Sequence, residues 1–390
     1  MEPKIRFKGF EGEWKTPSIG EVFELRNGYT PSKAVNEFWE GGTIPWFRME
    51  DIRTNGGILK DAIQHITPLA VKGAGLFEKN SIILATTATI GVHAMLIADS
   101  LANQQFTNFR VRKSLSDSYI DNFLYYSFFN IDEWSKKNTN SGGLLSVNMP
   151  LLVKQPLYSP CKQEQQAIAS YFTSLDSQIS ASTSRLASLK QMKAASLQAM
   201  FPQEGETVPK IRFKGFKGEW KKVKADSIFK TFNEKNRPDL PVLSATQDRG
   251  MVTRESIGYN IFHDTSNEAT YKHILPGQFV IHLRSFQGGF AHSEIEGIAS
   301  PAYTIMDFKN KDLYHDYYWR YVFMSKEFIK RLELITYGIR DGRSISYDEF
   351  KEMSFLVPSK EEQIKIASYL KNLDRQISLQ SQRLEKLKQI

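Results

Sequence analysis

Cysteine is almost absent from this sequence: Cys161 is the single one in 390 residues. That excludes a disulfide framework and any cysteine-based metal site, and it points to a reducing compartment. Cys161 follows Ser159-Pro160 at an expected strand–helix junction, a structural position rather than a nucleophile's. Long apolar runs are missing too. The most apolar window, Ser81–Ala98, contains three threonines, a glycine and a histidine. It reads as two buried strands and a turn, not a membrane span. No apolar stretch follows Met1-Glu2-Pro3-Lys4, so no signal peptide is read and a cytoplasmic location is expected.

Marks of catalysis are missing as well. There is no GxxxxGK[ST] loop, no GxGxxG after a strand, no HExxH and no Asn-Pro-Pro-[Phe/Tyr]. Such spacings are what gather ligands or phosphate-binding amides around a reacting centre. No Asp…Glu-x-Lys nuclease pattern stands out. The seven histidines are scattered. Zinc on His282 and His292 would need carboxylates in place of cysteine, and core or surface roles are the simpler expectation. The chain therefore reads as a binding component with no catalytic residue and no metal. Its formal charge of +8 and pI near 9.2 favour a polyanionic partner. With 41% hydrophobic and 12% aromatic residues, it has material for two or three folded domains.

What the sequence has in abundance is repetition. Lys162–Phe201 carries Ile168, Phe172, Leu175, Ile179, Leu186, Leu189 and Met200 on a three-and-four spacing, bracketed by Pro160 and Pro202. This is the seam of a helix meant for another helix. At 1.5 Å per residue it would be roughly 57 Å long. Lys360–Ile390 repeats it at an offset of 198 residues without a gap, with Ile366, Leu370, Leu373, Ile377, Leu384 and Leu387 on the seam. Repeated surface identities (Gln165/Gln363, Gln178/Gln376, Arg185/Arg383) argue for duplication rather than coincidence. The start of the chain, Pro3–Trp14, also reappears as Pro209–Trp220 with eleven of twelve residues unchanged. Each half thus begins with one shared segment and ends with one shared helix. The opening is either a strand that closes each domain or a peg for subunit contact. The helix midpoints fall near Ser182 and Gln380, polar residues where a seam residue belongs. In an antiparallel pair about a two-fold they would meet near the axis and fix the register.

The stretches between opening and helix differ between the halves. In the first, strands are predicted over Ser81–Ala85, Val92–Ile97, Phe106–Val111 and Val153–Leu157, with a helix over Ser118–Trp134. In the second, strands are predicted over residues 242–246, 278–283, 302–306 and 354–357, with a helix over Asp316–Glu333. Both halves are α+β with an irregular, turn-rich sheet region.

These variable stretches carry readout chemistry. Asn103, Gln104, Gln105 and Asn108 set four amides within six residues, and an amide can bond bidentately to adenine N6/N7. Thr86, Thr87, Thr89 and His93 flank a strand turn, and Lys136, Lys137, Asn138 and Asn140 sit in a glycine-rich loop suited to phosphates or base edges. Thr246, Gln247 and Arg249, then His282, Arg284, Ser285 and Gln287, are comparable in the second half. Tyr337, Arg340 and Arg343 take the place of the first half's lysine loop.

Both KxEQxxIASY…LDxQIS helices, the two Pro-Lys-Ile-Arg-Phe-x-Gly-Phe-x-Gly-Glu-Trp openings, and Gly28-Tyr-Thr-Pro-Ser32 with Ile44-Pro-Trp46 carry a family resemblance. The sequence resembles the specificity subunit of a type I restriction–modification system over essentially its whole length. The resemblance implies two target-recognition domains, each reading half of a bipartite double-stranded DNA site, joined by the repeated helices as an antiparallel coiled coil. It implies the layout 1–160 first recognition domain, 161–201 central spacer helix, 202–358 second recognition domain and 359–390 second spacer helix. It also implies two methylation subunits that use S-adenosylmethionine on adenine N6, and two restriction subunits that use ATP and Mg. No cofactor is then expected on this chain. The second helix reaches Ile390 about ten residues short of its counterpart, so either the sequence is truncated there or the protein ends early, and one partner contact, or one end of the coil, is in question. The rival readings are a stand-alone DNA-modifying enzyme with an unrecognised motif and an assembly scaffold that reads nothing.

Overall fold

The computed structural model describes residues 3–140, 145–246, 249–257, 265–282, 289–336 and 345–389. The chain folds as two compact units, Met1–Gln178 and Ile179–Ile390, whose boundary falls inside the first long helix, Lys162–Ala199.

The first unit is built on a five-stranded sheet in the order Phe23–Asn27, Phe106–Val111, Ile82–Ala85, His93–Leu96, Ile58–Leu59. The last pairing is parallel and the others antiparallel. Side chains alternate across a strand, and here both faces are covered. Ile82 and Leu84 pack with Phe23, Phe109 and Phe128, whereas Ile83 and Ala85 pack with Trp46, Phe47 and Phe106. That is why Ser81–Ala85 reads as a continuous apolar run. Helix Asp121–Lys137 lies on the first face through Phe123, Leu124, Phe128 and Ile131. Val153–Leu157, expected as a strand, forms a single isolated bridge, Pro156 to Ser18, with Ser159 bridging Lys15 just beyond it. Pro156 has no N–H with which to extend the ladder.

The second unit holds a four-stranded antiparallel sheet, Phe229–Phe232, Thr304–Phe308, Phe279–Ile281, Phe290–His292. In chain order this is first, fourth, second, third, the same order as the four antiparallel strands of the first unit. Halves whose middle sequences look unrelated therefore share a sheet. Phe229, Phe279, Trp319, Phe323, Phe350 and Phe355 fill its core. The helix expected over Asp316–Glu333 is two helices, Asp316–Met324 and Lys326–Thr336. Ser325 leaves the helical conformation between them, and its Oγ accepts a bond from the Phe328 N–H at 3.2 Å, capping the second. Ser354–Val357 pairs with Lys221–Lys224.

The second long helix, Lys360–Lys388, is capped by Ser359. Within the second unit it lies against the end of the first long helix. Tyr369 Oη is 3.3 Å from Ser196 Oγ, Lys193 Nζ is 2.6 Å from Asp374 Oδ1, and Gln380 Nε2 donates to the Ser182 carbonyl at 3.2 Å. Numbers fall on one helix as they rise on the other, so the pair is antiparallel. Leu189, Ile366, Leu370, Leu373 and Leu384 are buried, and Ile179, Leu186, Ile377 and Leu387 are half-buried. Ser182 and Gln380 are only 5% and 9% exposed. In the first unit, Ile168 packs on the core beside Ala169, Leu175 is half-buried and Phe172 is 37% exposed.

The repeated openings are not strands. Each extends an arginine to the first turn of a long helix. Arg6 holds Glu164 through Nε and Nη2, both at 2.8 Å, and Arg212 holds Glu362 at 2.6 and 2.7 Å. Arg6 also donates to the Gly12 carbonyl and Arg212 to that of Gly218, both at 2.6 Å. Gln165 and Gln363 are not surface identities either, being 1% and 0% exposed. Gln363 Oε1 accepts from the His315 N–H, and its Nε2 donates to the Leu313 and Pro358 carbonyls. Gln165 does the same with Ile120, Ser118 and Pro160. Each glutamine supplies partners to loop backbone that no ladder satisfies. Gln178, Arg185 and Arg383 are exposed and Gln376 is half-buried.

Candidate nucleic-acid interface

Three stretches of the first unit that are far apart in sequence converge. The Thr86 N–H donates to the Gln105 carbonyl at 2.9 Å, which ties the threonine turn to the amide loop. The Val147 N–H donates to the Thr86 carbonyl at 2.8 Å, and Thr87 bridges Ser146, which ties the same turn to the hairpin Thr139–Asn140/Ser146–Val147. Asn103 Oδ1 accepts from the Gln105 N–H at 3.1 Å, so this amide shapes its own loop. Gly28 lies against that loop so closely that a Cβ there would sit 2.3 Å from two carbonyl oxygens, of Ala102 and Asn103. Thr30, not named among the candidate site residues, then bonds Gln104. Its signal in the sequence was its place inside the Gly28–Ser32 motif.

The convergence sorts the candidate residues. Thr87, Thr89, Gln104, Gln105, Lys136, Lys137, Asn138 and Asn140 are exposed or half-buried. Asn138 caps helix Asp121–Lys137 through the Trp134 carbonyl at 2.8 Å. Lys136 pairs with Glu133 at 2.7 Å, which raises the lysine above its ordinary range; such an exposed pair is weak and exchanges readily for a phosphate. Thr86, His93 and Asn108, expected at base edges, are inside the fold at 7%, 5% and 4% exposure. Asn108 donates to Ser81 Oγ at 2.8 Å and Thr86 meets Thr107 at 3.0 Å. His93 sets Nδ1 2.6 Å from Asp132 Oδ2 and Nε2 3.0 Å from the Tyr125 carbonyl. Both ring nitrogens face internal acceptors, and none is left for a base. His93→Leu is therefore expected to destabilise the chain by about 2–3 kcal/mol in urea melts, by orphaning Asp132, with the salt dependence of DNA binding unchanged.

In the second unit, hairpin Leu243–Thr246/Gly250–Thr253 places Arg249 at its exposed tip, where the Arg249 N–H donates to Thr246 Oγ1 at 3.2 Å. Gly250 approaches the His292 carbonyl so closely that a Cβ would lie 2.3 Å from it, seating the hairpin beside strand Phe290–His292. His282 closes a loop through its N–H to the Gly289 carbonyl at 2.9 Å. Burial pushes its imidazole below the usual histidine range, so at neutral pH it offers a donor and an acceptor rather than a cation. Gln247, Arg284, Ser285, Gln287, Tyr337, Arg340 and Arg343 lie outside the described residues. Among the described residues no cluster of histidine, cysteine and carboxylates could hold a metal, and no helix is long and apolar enough to cross a membrane.

Comparison with known proteins bears on both halves. The family described as the type I restriction modification DNA specificity domain matches residues 11–191 and 217–389. Over 153 residues, 39% of the chain, it is 48% identical to the specificity subunit of the type I restriction enzyme EcoprrI of Escherichia coli. Over 171 residues it is 30% identical to the specificity subunit of the MjaIX enzyme of Methanocaldococcus jannaschii. Each match spans 38% of the relative's own length. In fold, the chain resembles the crystal structure of a type I restriction–modification S subunit from M. genitalium, with a TM-score of 0.59 at 15% identity, over 100% of this chain and 96% of that one. Because the family match runs through both repeats, the chain belongs to the type I restriction modification DNA specificity domain family.

Proposed function

We propose that this protein is the non-catalytic specificity subunit of a cytoplasmic type I restriction–modification complex. It reads a bipartite double-stranded DNA target and directs adenine-N6 methylation and restriction by partner subunits. The observation that carries this reading is one sheet order present twice, each time with different polar loops at its edge. A shared frame with diverged loops suits one protein that reads two different half-sites. In the first unit, Gln104, Gln105 and Asn140 supply amides for base edges, and Lys136 and Lys137 supply phosphate contacts. Arg249 does so in the second, with Arg284, Arg340 and Arg343 in the same role. Two reading heads on one face of a duplex stand about 34–36 Å apart, a span within the reach of a helix roughly 57 Å long.

On this reading the partners are two methylation subunits holding S-adenosylmethionine and two restriction subunits using ATP and Mg, and the recognition domains are 1–160 and 202–358. The test is to map methylated adenines in a host genome carrying this subunit with its partners. A single two-part motif is expected, and methylation by the purified chain alone would sink the reading. Register is open to test as well. The bond from Gln380 to the Ser182 backbone carbonyl joins two buried polar residues at the middle of the seam. Replacing both residues by leucine is expected to let the helices slip and to broaden the spacer lengths that support methylation. An unchanged spacer preference would remove the register role.

A further inference from the structure

The amide loop of the first unit contains a tight turn over residues 103–106. The Phe106 N–H closes it on the Asn103 carbonyl at 3.1 Å, with Gln104 and Gln105 at the tip. The turn is anchored from three sides. The Tyr29 N–H donates to the Ala102 carbonyl at 2.9 Å, the Asn103 N–H to that of Phe47 at 3.0 Å, and the Thr86 N–H to that of Gln105 at 2.9 Å. A turn held in this way presents its side chains in one geometry, as reading a base edge requires.

Both glutamines have their amide oxygens engaged by the protein. Thr30 Oγ1 donates to Gln104 Oε1. Asn103 Nδ2 donates to Gln105 Oε1 at 3.4 Å, while Asn103 Oδ1 accepts from the Gln105 N–H at 3.1 Å. That second bond fixes the first: a backbone N–H only donates, so Asn103 turns its oxygen to it and offers its nitrogen to the glutamine. Gln104 is exposed and Gln105 half-buried, and neither Nε2 has a partner among the described residues. The tip therefore shows two NH2 groups on neighbouring residues.

An amide that reads adenine uses both of its polar atoms, the oxygen on N6–H and the nitrogen on N7. Here the oxygens are engaged and the donors remain. In the major groove guanine presents two acceptors, N7 and O6, and no donor, whereas adenine and cytosine each place an NH2 group there, which a donor cannot meet. We propose that Gln104 and Gln105 read a guanine in the first unit's half-site, and that Thr30 and Asn103 are the positioning residues that set this choice. The inference rests on the DNA-reading proposal above and adds to it the base that these amides select.

The experiment uses the chain with its partner subunits and duplexes carrying the mapped target. Each guanine is replaced in turn by 7-deazaguanine, which lacks N7 and keeps its Watson–Crick face. At one or two guanines the wild-type affinity is expected to fall about tenfold. In the double variant Gln104→Ala/Gln105→Ala the same replacement is expected to cost nothing further. Thr30→Val keeps the volume, removes the donor and frees Gln104 to turn its oxygen outward. The preference for guanine over adenine at that position is then expected to drop about tenfold, and Thr30→Ser is expected to retain it. A folding defect lowers affinity for both bases alike and leaves this ratio unchanged. A 7-deazaguanine penalty that persists in the double variant would overturn the inference and leave the DNA-reading proposal standing. So would a target in which no 7-deazaguanine weakens binding, or a double variant that loses affinity equally on every duplex, which would give the NH2 groups to phosphates. A wild-type complex with no sequence preference overturns both.

Discussion

Alanine at Glu362 is expected to destabilise the second unit by about 3–5 kcal/mol in urea denaturation of the full chain. The carboxylate is 1% exposed and takes two bonds from Arg212, at 2.6 and 2.7 Å. It also sits in the first turn of a long helix, where the backbone N–H groups favour negative charge. Removing it strands a guanidinium that is 18% exposed and still held in place by the Gly218 carbonyl. Replacing both members, Arg212→Met with Glu362→Leu, is expected to cost much less, because no unpaired charge remains buried. The matched pair Arg6–Glu164 supplies an independent repeat of the experiment in the first unit. Single substitutions that cost under about 1 kcal/mol would show that the openings are ornaments rather than clamps.

The second large effect concerns salt. If Lys136, Lys137, Arg249, Arg284, Arg340 and Arg343 each neutralise a phosphate, duplex affinity falls about a thousandfold between roughly 50 and 200 mM salt. The slope of log affinity against log salt is then about −5. The Lys136–Glu133 pair does not oppose this, since an exposed ion pair three residues apart contributes little. Fluorescence anisotropy of a labelled duplex measures the slope directly. A scaffold that reads nothing gives a flat line, and that result would withdraw the phosphate contacts together with the reading built on them.

The two units show different limits of sequence reasoning. The long helices were legible because a seam on a three-and-four spacing survives without knowledge of neighbours, and because duplication prints the same seam twice. Strand Ile82–Ala85 was legible because both of its faces are buried, which leaves an uninterrupted apolar run. Val153–Leu157 misled because Val153 caps the short helix Met149–Leu152 in the helical conformation, and Pro156 then denies a ladder its donor. Residues 316–333 misled because one periodic stretch contains a serine cap at Ser325.

Site residues were harder still. Thr86, Asn108 and His93 have the right chemistry for a base edge, yet their polar atoms are committed inside the fold. Polarity records that a side chain needs a partner and does not record whether the partner is internal. Gln165 and Gln363 show the same limit from the other side: repeated glutamines read as surface, and both are buried brackets for loop backbone.

By itself, then, the sequence determined the duplication, the helix pair, the α+β class of each half and the family, since all of these depend on local periodicity or on identity between distant segments. Only the tertiary structure decided that the diverged middles share one sheet order, that Arg6 and Arg212 clamp the long helices, and that Gln165 and Gln363 are buried brackets for loop backbone. Those features depend on which surfaces meet. Pairing between strands and the burial of a polar atom are set by neighbours distant along the chain, and no window of sequence contains them.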